Sequence, residues 1–208
     1  MSTVIIDYGS GNLCSVAKAL ERVGAGARIL VTSEAKTLAQ ASHIVLPGVG
    51  AFADCMRGLA ALPGMLDALE DEVRRKQKPF LGICVGMQML FEEGHEHGVH
   101  RGLGWLKGKV VSLVMGHDTQ RKIPHMGWND LHIAKPHPLM AGISEGAHAY
   151  FVHSYYAAVG DAADLIATTD YGQSVTAVVA KGNIMGTQFH PEKSQVTGLA
   201  LLGNFLKL

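Results

Sequence analysis

The chain has 208 residues, 48% of them hydrophobic and 17% charged, with 18 basic against 18 acidic side chains. That composition supports a sizeable core and excludes wholesale disorder, and no apolar run approaches the roughly twenty residues of a membrane span. Charge balance argues against a dominant nucleic-acid or anionic-membrane surface, and the length suits one α/β domain over residues 1–208.

The start, Met1-Ser2-Thr3-Val4, lacks the basic flank and apolar stretch of a secretory signal, which predicts a cytoplasmic protein. Val4-Ile5-Ile6 is apolar without alternation, as in a strand buried on both faces. Tyr8-Gly9-Ser10-Gly11-Asn12 then turns the chain into a helix from Leu13 to Val23, with Gly24 as its stop. Arg28 to Val31 and His43 to Leu46 read as the next strands, and Met65 to Gln77 as a helix ended by Pro79. Its acidic residues precede its basic ones, which complements the helix dipole and reads as a solvated face. Phe80-Leu81-Gly82-Ile83 is another short buried strand, so the first half follows a β-α-β pattern and predicts a mostly parallel central sheet flanked by helices.

Beyond Gly102 the texture changes to short β-like runs, which predicts additional antiparallel strands in the C-terminal half. The candidates are Val110 to Met115, Asn129 to Ile133, Ala149 to Tyr156, Leu165 to Thr168, Val175 to Ala180 and Ile184 to Gln188. Lys181-Gly182-Asn183 fits a hairpin turn between the last two. A final helix from Ser194 to Leu206 would turn Val196, Leu199, Ala200, Leu202 and Phe205 toward the core.

Three segments carry chemistry. In Gly82-Ile83-Cys84-Val85-Gly86 a strand runs directly into a helix with a cysteine at the junction. A sharp strand-to-helix turn needs small neighbours, exposes its central side chain at the carboxyl end of the sheet, and puts negative charge at a helix N-terminus. A nucleophilic thiolate and a buried structural thiol both fit the pentapeptide alone. In Gln188-Phe189-His190-Pro191-Glu192, Pro191 biases His190 to an extended conformation, where Glu192 falls on the same side and can orient the imidazole. The rival is a polar turn before the last helix; taken with Cys84, a Cys-His-Glu triad is the better account. Leu46-Pro47-Gly48-Val49-Gly50 follows a strand and suits an oxyanion-binding amide, since its spacing fits neither the Walker nor the dinucleotide fingerprint.

The three cysteines, Cys14, Cys55 and Cys84, form no CxxC pair, so neither a zinc ribbon nor a disulfide framework is supported and buried free thiols are the default. His95, His97 and His100 follow Glu92 and Glu93, but Gly94 and Gly98 interrupt the cluster, and no metal is expected there.

Together the elbow cysteine, the late His-x-Glu and the glycine-rich loop resemble the class I glutamine amidotransferases, over Asp7 to Phe205. Asp7 to Asn12, Pro124-His125-Met126-Gly127-Trp128-Asn129 and Tyr150 to Tyr156 narrow the resemblance to members serving histidine biosynthesis. The resemblance implies free L-glutamine as substrate, no cofactor, and ammonia passed to a separate (βα)8-barrel cyclase subunit in a heterodimer. It implies catalysis by Cys84, His190 and Glu192, oxyanion donors at Val49 and Val85, and glutamine contacts at Gly50, Gln88, Ser154 and Tyr155. Asn12, Trp128, Asn129, Tyr150 and Lys193 match positions near the partner interface. Cys14 departs from the pattern, standing where a basic or polar residue is expected, and the His95 to His100 cluster inherits no role.

Two other readings compete. DJ-1-like cysteine-elbow hydrolases or chaperones would keep the α/β core but require neither the His190-Pro191-Glu192 tail nor Gln88. The glutaminase of pyridoxal phosphate synthase shares the triad but leaves Pro124 to Asn129 unexplained.

Overall fold

The structure is a computed structural model and describes residues 2–24, 26–114 and 122–208. In chain order its elements are β1 (Ser2–Ile6), α1 (Leu13–Val23), β2 (Arg28–Thr32), β3 (His43–Gly48), α2 (Phe52–Ala61), α3 (Met65–Leu69) and β4 (Phe80–Cys84). The elbow helix α4 (Val85–Gln88) is followed by β5 (Phe91–Gly94), β6 (His100–Arg101), β7 (Leu106–Ser112), β8 (His125–Asp130) and β9 (His132–Ile133). The chain continues through β10 (His148–His153), β11 (Tyr155–Val159), β12 (Leu165–Asp170), β13 (Ser174–Lys181), β14 (Ile184–Thr187) and α5 (Gln195–Phe205).

The main sheet has the order β2-β1-β3-β4-β14-β13-β12-β9. Strands β2, β1, β3, β4 and β14 run parallel, and β13, β12 and β9 continue the sheet antiparallel. Strands β11-β7-β5-β6 form a second sheet and β8 pairs antiparallel with β10. Val4, Ile5 and Ile6 are fully buried, as an apolar run in a sheet covered on both faces must be. Helix α1 buries Val16, Ala19 and Leu20 at helical spacing; a fully buried leucine of this kind contributes roughly 1.5–3 kcal/mol. Among the described residues no helix is long and apolar enough to cross a membrane.

Several boundaries differ from the sequence expectations. The Met65 helix becomes a π-helix over Glu70–Arg75, and Glu72 is not on a solvated face: it is buried, with ion pairs to Lys76 (2.8 Å) and Lys78 (2.6 Å). The strand expected over Ala149 to Tyr156 breaks at Ser154, because β10 pairs with β8 and β11 with β7. The strand expected over Asn129 to Ile133 breaks at the buried Leu131, and β8 takes in the motif from His125. Met115, the last residue of another expected strand, lies outside the described residues. In α5, Val196 is 80% exposed, whereas Thr197, Gly198, Leu201, Leu202 and Phe205 face inward. The reason is close packing: a Cβ at Gly198 would collide with the Pro191 carbonyl, so the small residues turn in and Val196 out. Cys14 is exposed rather than buried.

Candidate active site

The carboxyl ends of β3 and β4 meet at the elbow. Cys84 sits at φ +56°, ψ −113°, a strained backbone for a residue with a side chain, and it caps α4. The strain persists because the neighbours are glycines. A Cβ at Gly86 would overlap the Leu46 carbonyl, and one at Gly82 would lie 2.5 Å from the Gly86 oxygen. Beyond the elbow lies a cavity of about 310 Å³ lined in part by Cys84, Val85, Gln88, Ser154, Tyr155 and His190. Val49 and Gly50 close one side, so every residue expected from sequence to hold glutamine or its oxyanion borders one space.

His190 is extended, at φ −93° and ψ +99°, as Pro191 requires, but Pro191 and Glu192 do not continue an extended segment: they open a 3₁₀ turn, Pro191–Lys193, whose first position suits proline. The turn still brings the two side chains together: Nδ1 of His190 lies 2.8 Å from Oε1 of Glu192, with side chains 2% and 0% exposed. A carboxylate at Nδ1 fixes that nitrogen as the donor and leaves Nε2, buried and without a hydrogen-bond partner among the described residues, turned to the site. The backbone is fixed as well: His190 N–H donates to the Tyr150 carbonyl (3.0 Å), and the Ser194 hydroxyl donates to the His190 carbonyl (2.7 Å).

Burial pulls the His190 pKa down, but the Cys84 sulfur and the Glu192 carboxylate outweigh it and push the pKa up to about 9 from an ordinary 6.5. A folded pKa above the unfolded one contributes stability that is full below pH 6.5 and lost as pH rises through about 9. Glu192→Gln should therefore cost about 1.5–3 kcal/mol near pH 6 and distinctly less near pH 10. Thermal melts at the two pH values check the sign; an equal cost at both would contradict it.

The glycine-rich loop is held from beneath. The buried Tyr8 hydroxyl donates to the Pro47 carbonyl at 2.8 Å, and the Ser10 hydroxyl and the Cys55 thiol (3.3 Å) both donate to the Val49 carbonyl. The Val49 N–H itself donates to Ser10 Oγ at 3.4 Å, so in this conformation it faces Ser10 instead of the space over Cys84. Of the two expected donors, Val85 is the first residue of α4, directly after Cys84, and the Val49 N–H is engaged with Ser10.

Asn12 precedes α1 but makes no side-chain cap; its amide reaches Glu192 Oε1 at 3.3 Å instead. Trp128, 49% exposed, stacks edge-on against Tyr150, and the Lys193 ammonium lies 5.7 Å from the Tyr150 ring. Asn129, beside Trp128, donates to the Asp170 carbonyl at 2.8 Å. Asn12, Tyr150 and Lys193 thus adjoin the His190–Glu192 pair and Trp128 packs on Tyr150, while Asn129 reaches away to Asp170; the exposed Val196 lines a shallow cavity with Trp128 and Asn129.

Sequence reasoning missed Glu96 and His153, which also line the cavity. Glu96 lies within the histidine-rich segment and accepts from the Phe52 N–H at the start of α2 (2.7 Å), a helix-terminus contact that only the fold creates. Of the histidines there, His95 pairs with Glu93 at 2.7 Å, and no cluster able to hold a metal ion occurs among the described residues.

Residues 4–208 match the family described as glutamine amidotransferase class-I. The chain is 54% identical to imidazole glycerol phosphate synthase subunit HisH of Brucella suis biovar 1, over 100% of this chain and 99% of that protein. It is 51% identical to the HisH subunit of Rhodospirillum rubrum at the same coverage. Among solved structures, one described as a glutamine amidotransferase superposes with a TM-score of 0.73 at 19% identity, covering 99% of each chain. A chain of PurLQS from Thermotoga maritima gives a TM-score of 0.71 at 19% identity, over 99% of this chain and 97% of that one. At such identities these two establish the fold alone.

Proposed function

Because the chain belongs to the class I glutamine amidotransferase family, we propose that residues 1–208 form a single amidotransferase domain in which Cys84, His190 and Glu192 hydrolyse glutamine. The chain is a glutamine amidotransferase of histidine biosynthesis, a subunit of imidazole glycerol phosphate synthase. The observation that carries the triad is the buried 2.8 Å contact of His190 with Glu192 beside a cysteine on a strained elbow.

In this reading free glutamine enters the cavity with its carboxamide over Cys84, against Gly50, Gln88, Ser154 and Tyr155. The Glu96 carboxylate supplies the charge that complements an α-ammonium. The sulfur attacks the carboxamide carbon, and the oxygen that becomes negative is received by the amides of Val85 and, once released from Ser10, Val49. The imidazolium of His190 protonates the departing nitrogen, and the C–N bond breaks to release ammonia. His190 then takes a proton from water as it attacks the thioester; the C–S bond breaks, glutamate forms and the thiolate returns. Glu192 holds the ring in the tautomer both steps need.

Ammonia in bulk water would be protonated and diluted, so its consumer belongs against this chain. The partner is a (βα)8-barrel cyclase subunit, docked over Asn12, Trp128, Asn129, Tyr150 and Lys193 in a cytoplasmic heterodimer. There ammonia would convert the ribulosyl form of the aminoimidazole carboxamide ribonucleotide intermediate into imidazole glycerol phosphate and aminoimidazole carboxamide ribonucleotide. The chain should restore histidine-independent growth to a strain lacking its own glutaminase subunit, and Cys84→Ala should not. Rescue of a pyridoxal-requiring strain instead would favour the pyridoxal phosphate synthase alternative.

A further inference from the structure

Gln188 takes no part in the triad, yet its side chain is also turned onto the nucleophile. It stands just beyond β14, fully buried, where a primary amide is costly unless its groups are hydrogen-bonded. Its partners are specific. Gln188 Nε2 lies 3.7 Å from Cys84 Sγ, within range of a donor to sulfur, and its Oε1 lies 3.0 Å from Gln88 Nε2. Gln88 Nε2 also contacts the Tyr155 carbonyl at 2.8 Å.

The orientation of both amides follows from what each neighbour can do. The Tyr155 carbonyl can only accept, so Gln88 presents its nitrogen there. That nitrogen's second hydrogen points at Gln188, which must offer its oxygen in return. The end of Gln188 left toward Cys84 is therefore its N–H group. The Tyr155 carbonyl is anchored from its other side by His153 Nδ1 at 2.9 Å. Burial lowers the His153 pKa to about 3, with His125 and His190 adding to the effect, so this ring is neutral and its Nδ1–H donates. Its Nε2 then accepts from His125 Nδ1 at 3.0 Å.

Resting on the assignment of Cys84 as nucleophile, we propose that Gln188 is a further catalytic residue, whose side-chain N–H donates to the reacting sulfur and favours its thiolate. The bond matters at both ends of the cycle. Before attack, sulfur carries the negative charge that an N–H donor stabilises. When it bonds to the carboxamide carbon and ammonia departs, that charge is gone and the contact weakens. When water adds and the C–S bond breaks, sulfur recovers its electron pair as a thiolate and the Gln188 N–H receives it. Gln88, with both hydrogens committed to Tyr155 and Gln188, aims the donor and leaves its own oxygen for substrate.

The test uses the full chain and two variants. Gln188→Glu keeps the shape and the acceptor for Gln88 but removes the N–H donor; Gln188→Met removes both polar groups at similar volume. In each, the pH midpoint of Cys84 alkylation by iodoacetamide should rise by about one unit, and kcat should fall ~10-fold with KM within ~2-fold. In the wild-type chain the Gln188 side-chain amide resonance should shift when Cys84 is alkylated, a readout that needs no variant to fold. A lower melting temperature with an unmoved alkylation midpoint, or a Gln188 resonance indifferent to Cys84, overturns the proposal and leaves only packing. The underlying assignment fails differently: Cys84→Ala would then retain turnover, whereas failure of the Gln188 proposal alone leaves Cys84→Ala inactive.

Discussion

Cys84→Ala should lower ammonia release from glutamine by at least about 10⁴-fold, because loss of a covalent nucleophile removes the acyl-enzyme route altogether. Cys14→Ala should leave turnover near that of the parent chain, since Cys14 is exposed on α1 and is not among the residues that line the cavity. Cys55→Ala should cost no more than a few-fold; it removes one S–H contact to the Val49 carbonyl while the Ser10 hydroxyl keeps its own. The structure gives a reason for expecting the Cys84 variant to fold. A buried thiol replaced by a methyl loses little packing, and the glycines at 82 and 86, which permit the elbow, stay in place. Ammonia measured alongside a melting curve separates lost chemistry from lost fold. Full turnover in folded Cys84→Ala would remove the triad from the account.

The second large effect concerns the partner. The isolated chain should hydrolyse glutamine slowly, and the complex with a nucleotide-loaded cyclase should be faster by roughly 10²–10³-fold, the amount one oxyanion donor is worth. The physical basis is the Val49 amide, which donates to Ser10 while its carbonyl is held by Ser10 and Cys55. Asn12 lies two residues beyond Ser10 and touches Glu192, so a partner docked on Asn12 can bias both the loop and the triad. Steady-state ammonia release with and without the loaded cyclase measures the effect. Equal rates would mean that the Val49 amide does not limit the isolated chain.

What the sequence made legible was mostly local. The elbow was readable because a strand end, a cysteine with a glycine two residues away on each side, and a helix start lie within five positions, and the close approaches at Gly82 and Gly86 give that pattern its cause. His190 and Glu192 were readable as a pair because Pro191 restricts the backbone between them; His190 is extended as expected, although Glu192 reaches it from a 3₁₀ turn. The inward face of α5 was readable in part: Leu202 and Phe205 are buried as expected and Leu199 and Ala200 pack partly, but the helix is apolar nearly all round, and the approach of Gly198 to Pro191 turns Thr197 and Gly198 in and Val196 out. The sheet order needed long-range pairing, and β14 enters beside β4 from the far end of the chain. Glu96 was hidden for the same reason. Its carboxylate sits among histidines and glycines that read as a loop, and only the fold carries it to the start of α2. Gln188 stood in plain view beside the His-x-Glu signature, but a glutamine two residues before a histidine has no chemistry until Gln88 is seen to aim it.

In the proposed mechanism glutamine turnover passes through a thioester on Cys84. Acid quenching of the chain with glutamine labelled in its carbon skeleton, in the presence of the loaded cyclase, followed by peptide mapping, tests it directly. The label should appear on the peptide containing Cys84 and vanish in Cys84→Ala. Label on Cys14 or Cys55, or rapid turnover with no labelled cysteine under conditions that preserve thioesters, would contradict it.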